Sequence, residues 1–141
     1  MRRRSGFTLV EIMVVVVIIG LLAGIAGPQI MARLEEAKRT TARTQIRNFE
    51  QALDMYRLHN SIYPTTQQGL EALVRIPTIA PIPKRYSKEW YAKEIPLDPW
   101  GNPYIYRSPG ERRPYDIIST ARTGEEGGEG LDADVTNHDQ S

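Results

Sequence analysis

Arg2-Arg3-Arg4-Ser5-Gly6-Phe7-Thr8-Leu9-Val10-Glu11 opens into Ile12-Met13-Val14-Val15-Val16-Val17-Ile18-Ile19-Gly20-Leu21-Leu22-Ala23. Three arginines precede an apolar run whose one charged residue is Glu11. From Phe7 to Gly27 the run is about 21 residues, or ~32 Å as a helix at ~1.5 Å per residue, which matches the ~30 Å hydrocarbon core of a bilayer. A basic flank stays on the cytoplasmic side, so the sequence predicts a single-pass membrane helix with the rest of the chain exported. The alternative is an ordinary secretory signal cut near Ala23, Ala26 or Gly27. Such signals have an apolar core of only ~7–15 residues. Here the run also passes through Gly27-Pro28-Gln29 into a helical pattern, with no intervening loop.

Glu11 is the expensive residue. A carboxylate inside an apolar helix is costly to insert and is a functional candidate for that reason. In the plain reading it lies near the headgroups and snorkels. In the sharper one the chain is cut after Gly6, and Phe7 gains a free α-amino group at the membrane edge. The Glu11 carboxylate of a neighbouring copy then pairs with that amine as helices pack. Two groups that are costly alone become tolerable together, because separating them strands a desolvated charge.

The 141 residues suffice for one membrane helix and one small domain. A net charge of +1 gives no argument for nucleic acid, and the aromatic residues do not interleave with basic ones. Without cysteine there is no disulfide framework, so a metal is a reasonable alternative staple for an exported domain.

Past Pro28, Ala42, Ile46, Phe49, Leu53 and Tyr56 recur at helical spacing among Arg43, Arg47, Glu50, Asp54 and Arg57. This predicts one long helix whose second half packs a domain through a single apolar stripe. Gly20, Gly24, Gly27 and Pro28 predict a kink or a melted stretch near 24–28. Gly20-x-x-x-Gly24 also fits a close-packing motif between membrane helices. His59-Asn60-Ser61-Ile62-Tyr63-Pro64 breaks the helix, because the residue before a proline is pushed to extended geometry. Thr65-Thr66-Gln67-Gln68 reads as a capping box ahead of a short second helix through Leu70, Leu73 and Val74. Pro77 to Pro83 is too proline-rich to be regular. Trp90-Tyr91 and Ile95-Pro96-Leu97 lead to Asp98-Pro99-Trp100-Gly101, which suits a type I turn with Trp100 over the core; an exposed binding epitope is the other reading. Tyr104–Arg107 and Tyr115–Ser119 are strand-like, separated by turn residues. A sheet of two or three such strands needs the helix stripe as cover. From Thr123 to Asp139 the chain is glycine-rich and acidic. Composition alone makes it a solvated tail; the alternative is a calcium loop, in which carboxylates and carbonyls wrap an ion.

Gly6-Phe7-Thr8-Leu9-Val10-Glu11-Ile12-Met13 resembles the class III signal of type IV pilins and secretion pseudopilins. Tyr63-Pro64-Thr65-Thr66-Gln67-Gln68-Gly69-Leu70-Glu71-Ala72-Leu73 and Asp98-Pro99-Trp100-Gly101-Asn102-Pro103-Tyr104 resemble the major pseudopilins of type II secretion. The resemblance implies an α+β pilin-like fold, with a long helix packed on a small antiparallel sheet. It implies a leader 1–6 removed by a prepilin peptidase, with cleavage between Gly6 and Phe7 and N-methylation of Phe7. Residues 7–27 would form the transmembrane and filament-core helix, and 28–141 a periplasmic domain. The partners it implies are further copies in a homopolymer, minor pseudopilins and an inner-membrane assembly platform. The filament would help to export folded proteins across the outer membrane.

The same family binds Ca²⁺ in a loop that corresponds to residues 119–135 here. Asp132 and Asp134 match its side-chain ligands, and the Thr120 and Glu125 carbonyls match its main-chain ligands. Thr123 stands where the family has a first Asp, and Ala121 where it has a Gly. Weak calcium binding is therefore expected, with Glu125, Glu126 or Glu129 as substitutes for the lost carboxylate. The competing readings are a type IV pilin of a surface fibre and a membrane-anchored periplasmic binding module that does not polymerise. The missing cysteine pair and the DPWGNPY stretch speak against the fibre. An enzyme is not supported: there is no phosphate loop, no His pair at metal spacing and no placeable Ser/His/Asp set. His59 and His138 read as surface residues.

Overall fold

A computed structural model describes residues 6–86 and 91–140. The leader residues Arg2, Arg3, Arg4 and Ser5, and Trp90, lie outside the described residues. The chain divides into two compact units, one ending at Glu36 and the other running from Ala37 to the C-terminus. Helix α1, Leu9–Asn60, contributes to both. In the first unit every residue from Gly6 to Ile25 is exposed, and this stretch of α1 is long and apolar enough to cross a membrane. The melted stretch expected near 24–28 is absent, since the helix continues unbroken. One proline removes one backbone donor and each glycine costs only about 1 kcal/mol. The strong helix formers on either side carry the helix through.

In the second unit the predicted stripe is the core. Ala42, Ile46, Phe49, Leu53 and Tyr56 are all buried. They meet Leu70, Leu73, Tyr104, Tyr106, Tyr115, Ile117 and Val135. The helix stops where Ser61, at φ 65°, turns left-handed and donates its amide to the Arg57 carbonyl at 2.6 Å, the geometry a glycine usually supplies. The capping box forms as predicted. The Gln68 amide donates to Thr65 Oγ1 at 3.2 Å, and the Thr65 amide donates to Gln68 Oε1 at 3.0 Å. The short second helix it opens is a single 3₁₀ turn, Leu70–Leu73. Gly69, at φ 63° and ψ −173°, breaks the helical path immediately before that turn. Gln68 Nε2 then holds the proline-rich loop through the carbonyls of Ile79 at 2.7 Å and Pro81 at 2.9 Å.

The sheet has three antiparallel strands in the order β1–β2–β3. They are β1 Ile105–Arg107, β2 Asp116–Ser119 and β3 Val135–Thr136. Tyr106 faces Ile117, and Ser119 faces Val135. The third strand overturns the solvated-tail reading. Val135 and Asn137 are buried. The Asn137 side chain accepts from the Ile117 amide at 3.1 Å and donates to the Tyr115 carbonyl at 3.1 Å. It thus prolongs the β2 ladder where β3 has ended. The acidic stretch is therefore a loop tied at both ends, because its last residues bury apolar surface that composition averages away.

Leu53→Ala, at the centre of the stripe, is expected to lower the unfolding free energy by about 2–5 kcal/mol. Thermal or urea unfolding of the two chains checks this, and equal stabilities would contradict the stripe as the core.

Candidate functional site

Gly6 and Phe7 precede the helix, and Phe7 is exposed. Thr8 is the N-cap of α1. The Glu11 amide donates to Thr8 Oγ1 at 3.2 Å, and the Thr8 amide donates to Glu11 Oε2 at 3.3 Å. This reciprocal capping box serves two of the backbone donors that a helix N-terminus leaves unpaired. Glu11 thus has a role inside its own chain that the sequence reading missed. The signal was present as Thr8-x-x-Glu11 ahead of an apolar run. Val10, Met13, Val14, Val17 and Ile18 recur at helical spacing along one side of the helix. The space beside Gly20 and Gly24 is open.

At the other end of the chain, the Asp98 turn is the footing of the C-terminal loop. The Gly101 amide donates to the Asp98 carbonyl at 2.9 Å, closing the expected turn. Asp98 is buried, and its Oδ1 accepts from the amides of Trp100 at 3.0 Å and Asn102 at 2.8 Å. Its Oδ2 accepts from Ser119 Oγ at 2.6 Å. Asn102 Nδ2 donates to the Ala121 carbonyl at 2.7 Å. The stretch is therefore structural, with Trp100 packed against the core.

Beyond Ala121, Thr123 Oγ1 lies 3.0 Å from the Thr120 carbonyl and 2.8 Å from the Glu125 carbonyl. Arg122 clasps both oxygens of Asp132, at 2.8 and 2.9 Å. The Gly127 amide donates to Asp134 Oδ2 at 2.9 Å, while Asp134 Oδ1 is buried without a hydrogen-bond partner. From α1, Arg39 donates to the Ala133 carbonyl at 2.6 Å and reaches those of Leu131 and Asp134 at 3.5 Å. Gly128 lies so close to the Asp132 carbonyl that a Cβ would collide with it.

The family model for "Type II secretion system (T2SS), protein G" matches residues 29–138, and a prokaryotic N-terminal methylation motif matches residues 1–27. The chain belongs to the type II secretion system protein G family. The core protein G of Pseudomonas aeruginosa PAO1 is 54% identical over 138 residues, covering 98% of this chain and 97% of that protein. The Vibrio cholerae core protein G is 51% identical over 137 residues, covering 97% of this chain and 93% of that protein. The crystal structure of the major pseudopilin from the type 2 secretion system of enterohaemorrhagic Escherichia coli is 40% identical, with a TM-score of 0.68. The match covers 76% of this chain and 91% of that chain.

Against the calcium loop that the protein G family resemblance implies, the donors in this chain point elsewhere. Calcium takes roughly six to eight oxygens at once. Here both oxygens of Asp132 face Arg122, and the Thr120 and Glu125 carbonyls face the Thr123 hydroxyl. Glu126, an expected substitute, pairs with Arg107. Among the described residues no three acidic or histidine side chains gather in a geometry that could hold a metal. Within the loop, only Asp134 Oδ1 is a buried side-chain oxygen in want of a partner. Protein groups thus already engage Asp132 and the two carbonyls at the positions the resemblance would give to an ion.

His138 is not the surface residue expected. Its Nε2 lies 2.6 Å from Asp116 Oδ1, and Asp116 is buried on β2. The Glu111 amide donates to Asp116 Oδ2 at 2.8 Å. Gly110 lets this loop approach, since a Cβ there would meet the carboxylate. Burial alone raises the Asp116 carboxyl, but the Glu111 amide and His138 outweigh it and hold the group below its ordinary value. His59 is half-buried too, with Nδ1 3.3 Å from Tyr91 Oη.

A carboxylate with a depressed folded-state pKa contributes stability that is complete above its unfolded value, about 3.9, and is lost as pH falls through the folded one. Asp116→Asn is expected to cost about 1.5–3 kcal/mol at neutral pH and progressively less below about pH 4. Melting temperatures of both chains across the acid range check this; a gap that stays constant to pH 2 would contradict it.

Proposed function

We infer that the chain is the major pseudopilin of a type II secretion system, a subunit that polymerises into a periplasmic pseudopilus. The carrying observation is the first unit: an exposed apolar helix with one carboxylate in its opening turn, directly after Gly6-Phe7. A helix apolar on every side is satisfied only by lipid or by other apolar helices. A subunit that leaves the bilayer for a filament exchanges the first for the second. The arginine leader supports an inner-membrane precursor with the N-terminus cytoplasmic and the second unit periplasmic. The methylation-motif match supports removal of residues 1–6 by a prepilin peptidase and methylation of Phe7.

Glu11 then has two successive tasks. In the precursor its Oε2 takes the Thr8 amide, so the carboxylate is partly satisfied within its own chain. That leaves Oε1 for a second donor, and the Phe7 amine of a neighbouring copy is a cation of the right charge at the right depth. Removing one member of such a desolvated pair costs far more than the pair contributes, because it strands the other. The pairing therefore selects subunits that are in register. Minor pseudopilins and an assembly platform in the inner membrane complete the machine, and the role is structural rather than enzymatic. The full-length match to protein G relatives favours this reading over a surface fibre or a non-polymerising module.

Glu11→Ala is expected to leave the melting temperature of the second unit unchanged and the precursor in the membrane, while pseudopili and secretion fall sharply. Filament recovery and exoprotein release in the host check this. Normal filaments from the variant would contradict the pairing.

A further inference from the structure

We propose that the C-terminal loop is locked by its own side chains in place of a divalent cation, with the Thr123 hydroxyl and the Arg122 guanidinium as the lock, so that its fold is independent of calcium. The observations are independent of the filament assignment. A cation in such a loop does two things: it gathers backbone carbonyls, and it cancels the charge of carboxylates. Here both tasks are taken by protein groups. The Thr123 hydroxyl lies between the Thr120 and Glu125 carbonyls, at 3.0 and 2.8 Å, and accepts from the Glu125 amide at 3.3 Å. Its one proton serves one of these carbonyls at a time, and together with the Glu125 amide it ties the start of the loop without carrying charge.

Charge is cancelled by guanidinium groups. The loop from Glu125 to Asp134 carries five carboxylates. Arg122 forks onto Asp132, with its Nε and Nη2 each opposite a different oxygen. Arg107 from β1 takes Glu126, with Nη1 at 2.9 Å. Arg39, only 9% exposed, supplies positive charge to the backbone carbonyls of Leu131, Ala133 and Asp134. A planar guanidinium matches a carboxylate in two-point fashion, so the Arg122 fork fixes direction as well as charge. The Arg122–Asp132 pair is exposed, at 62% and 36% of the side chains, and an exposed pair is weak alone. Arg39 supports the backbone from α1, while Thr123 holds the start of the loop and the Arg122 fork takes Asp132 away from any ion. An arriving calcium would have to displace that fork. It would find Asp132 and Asp134 at the positions matched by resemblance, with Thr123 where that resemblance places a further Asp.

The test is thermal unfolding of the full-length chain in detergent micelles, followed by circular dichroism, with either chelator or millimolar calcium chloride. A site saturated ~100-fold would raise the melting temperature by more than about 10 °C in a domain of this size. The parent chain is expected to melt within ~1 °C in the two buffers, the scale on which such a site would be invisible. Thr123→Val is expected to melt lower in both alike. The double variant Arg122→Ala, Thr123→Asp frees Asp132 and restores a third carboxylate; it is expected to melt higher with calcium than with chelator. Thr123→Asp alone serves if the double variant does not fold. A calcium-dependent rise in the parent would overturn the proposal. So would a folded Thr123→Asp chain, with or without Arg122→Ala, that gains no response, since Thr123 and Arg122 would then not be what stands in for the ion.

Discussion

The stripe Ala42, Ile46, Phe49, Leu53 and Tyr56 is the surface on which the rest of the second unit is laid. Three strands of two to four residues have no stability of their own in water. They acquire it by setting Tyr104, Tyr106, Tyr115 and Ile117 against a helix that would otherwise expose a continuous apolar band. The contacts are specific as well as apolar. Phe49 and Tyr104 meet edge to face at 5.1 Å, and the Tyr106 hydroxyl donates to the Pro64 carbonyl at 2.8 Å. The Tyr104 hydroxyl donates to Gln45 on the helix. Burial of these phenols pushes the pKa values of Tyr104, Tyr106 and Tyr115 well above the ordinary value, so they remain neutral donors throughout the working range of the protein.

The C-terminal loop inherits its shape from that core through a short chain of polar contacts. Asp98 closes its own turn and at the same time holds Ser119 at the end of β2. Asn102 holds Ala121, which sits at φ 48°. That conformation costs an L-residue about 1–2 kcal/mol and would be free of strain for the glycine that the protein G family resemblance places there. Two loop residues, Ala121 and Thr123, depart from what that resemblance places there. The path is dictated by the turn beneath it, and the closure by whatever side chains stand along it.

Much of this was legible in the sequence, for reasons that differ from one element to the next. The helix stripe was readable because 3.6-residue periodicity is a property of the chain itself, and Thr65–Gln68 was readable because both partners of a capping box lie within one turn. The same kind of signature at Thr8–Glu11 is masked by the louder signal of a carboxylate in an apolar run. Arg39 extends the stripe by one more step of three, and its position there marked it for burial. Strand β3 and Asn137 were not legible: two strand residues inside an acidic, glycine-rich stretch leave no periodicity to detect. The pairs Asp116–His138 and Arg122–Asp132 span 22 and 10 residues, and only the fold brings them together. The loop's oxygens could be counted from the sequence, but where each one points depends on neighbours the sequence does not rank.

Function follows from the contrast between the two units. The second folds around its own core; the stretch from Phe7 to Gly27 has only apolar surface, one carboxylate at Glu11 and, ahead of it, the peptide bond before Phe7. Everything proposed for the filament depends on that bond being cut in place. The most direct measurement is the intact mass and N-terminal sequence of the protein taken from membranes of its own host. A chain that begins at N-methylated Phe7 is the predicted result. A chain that retains Met1, or begins near Ala26, would contradict the account, because Glu11 would then have no amine to meet.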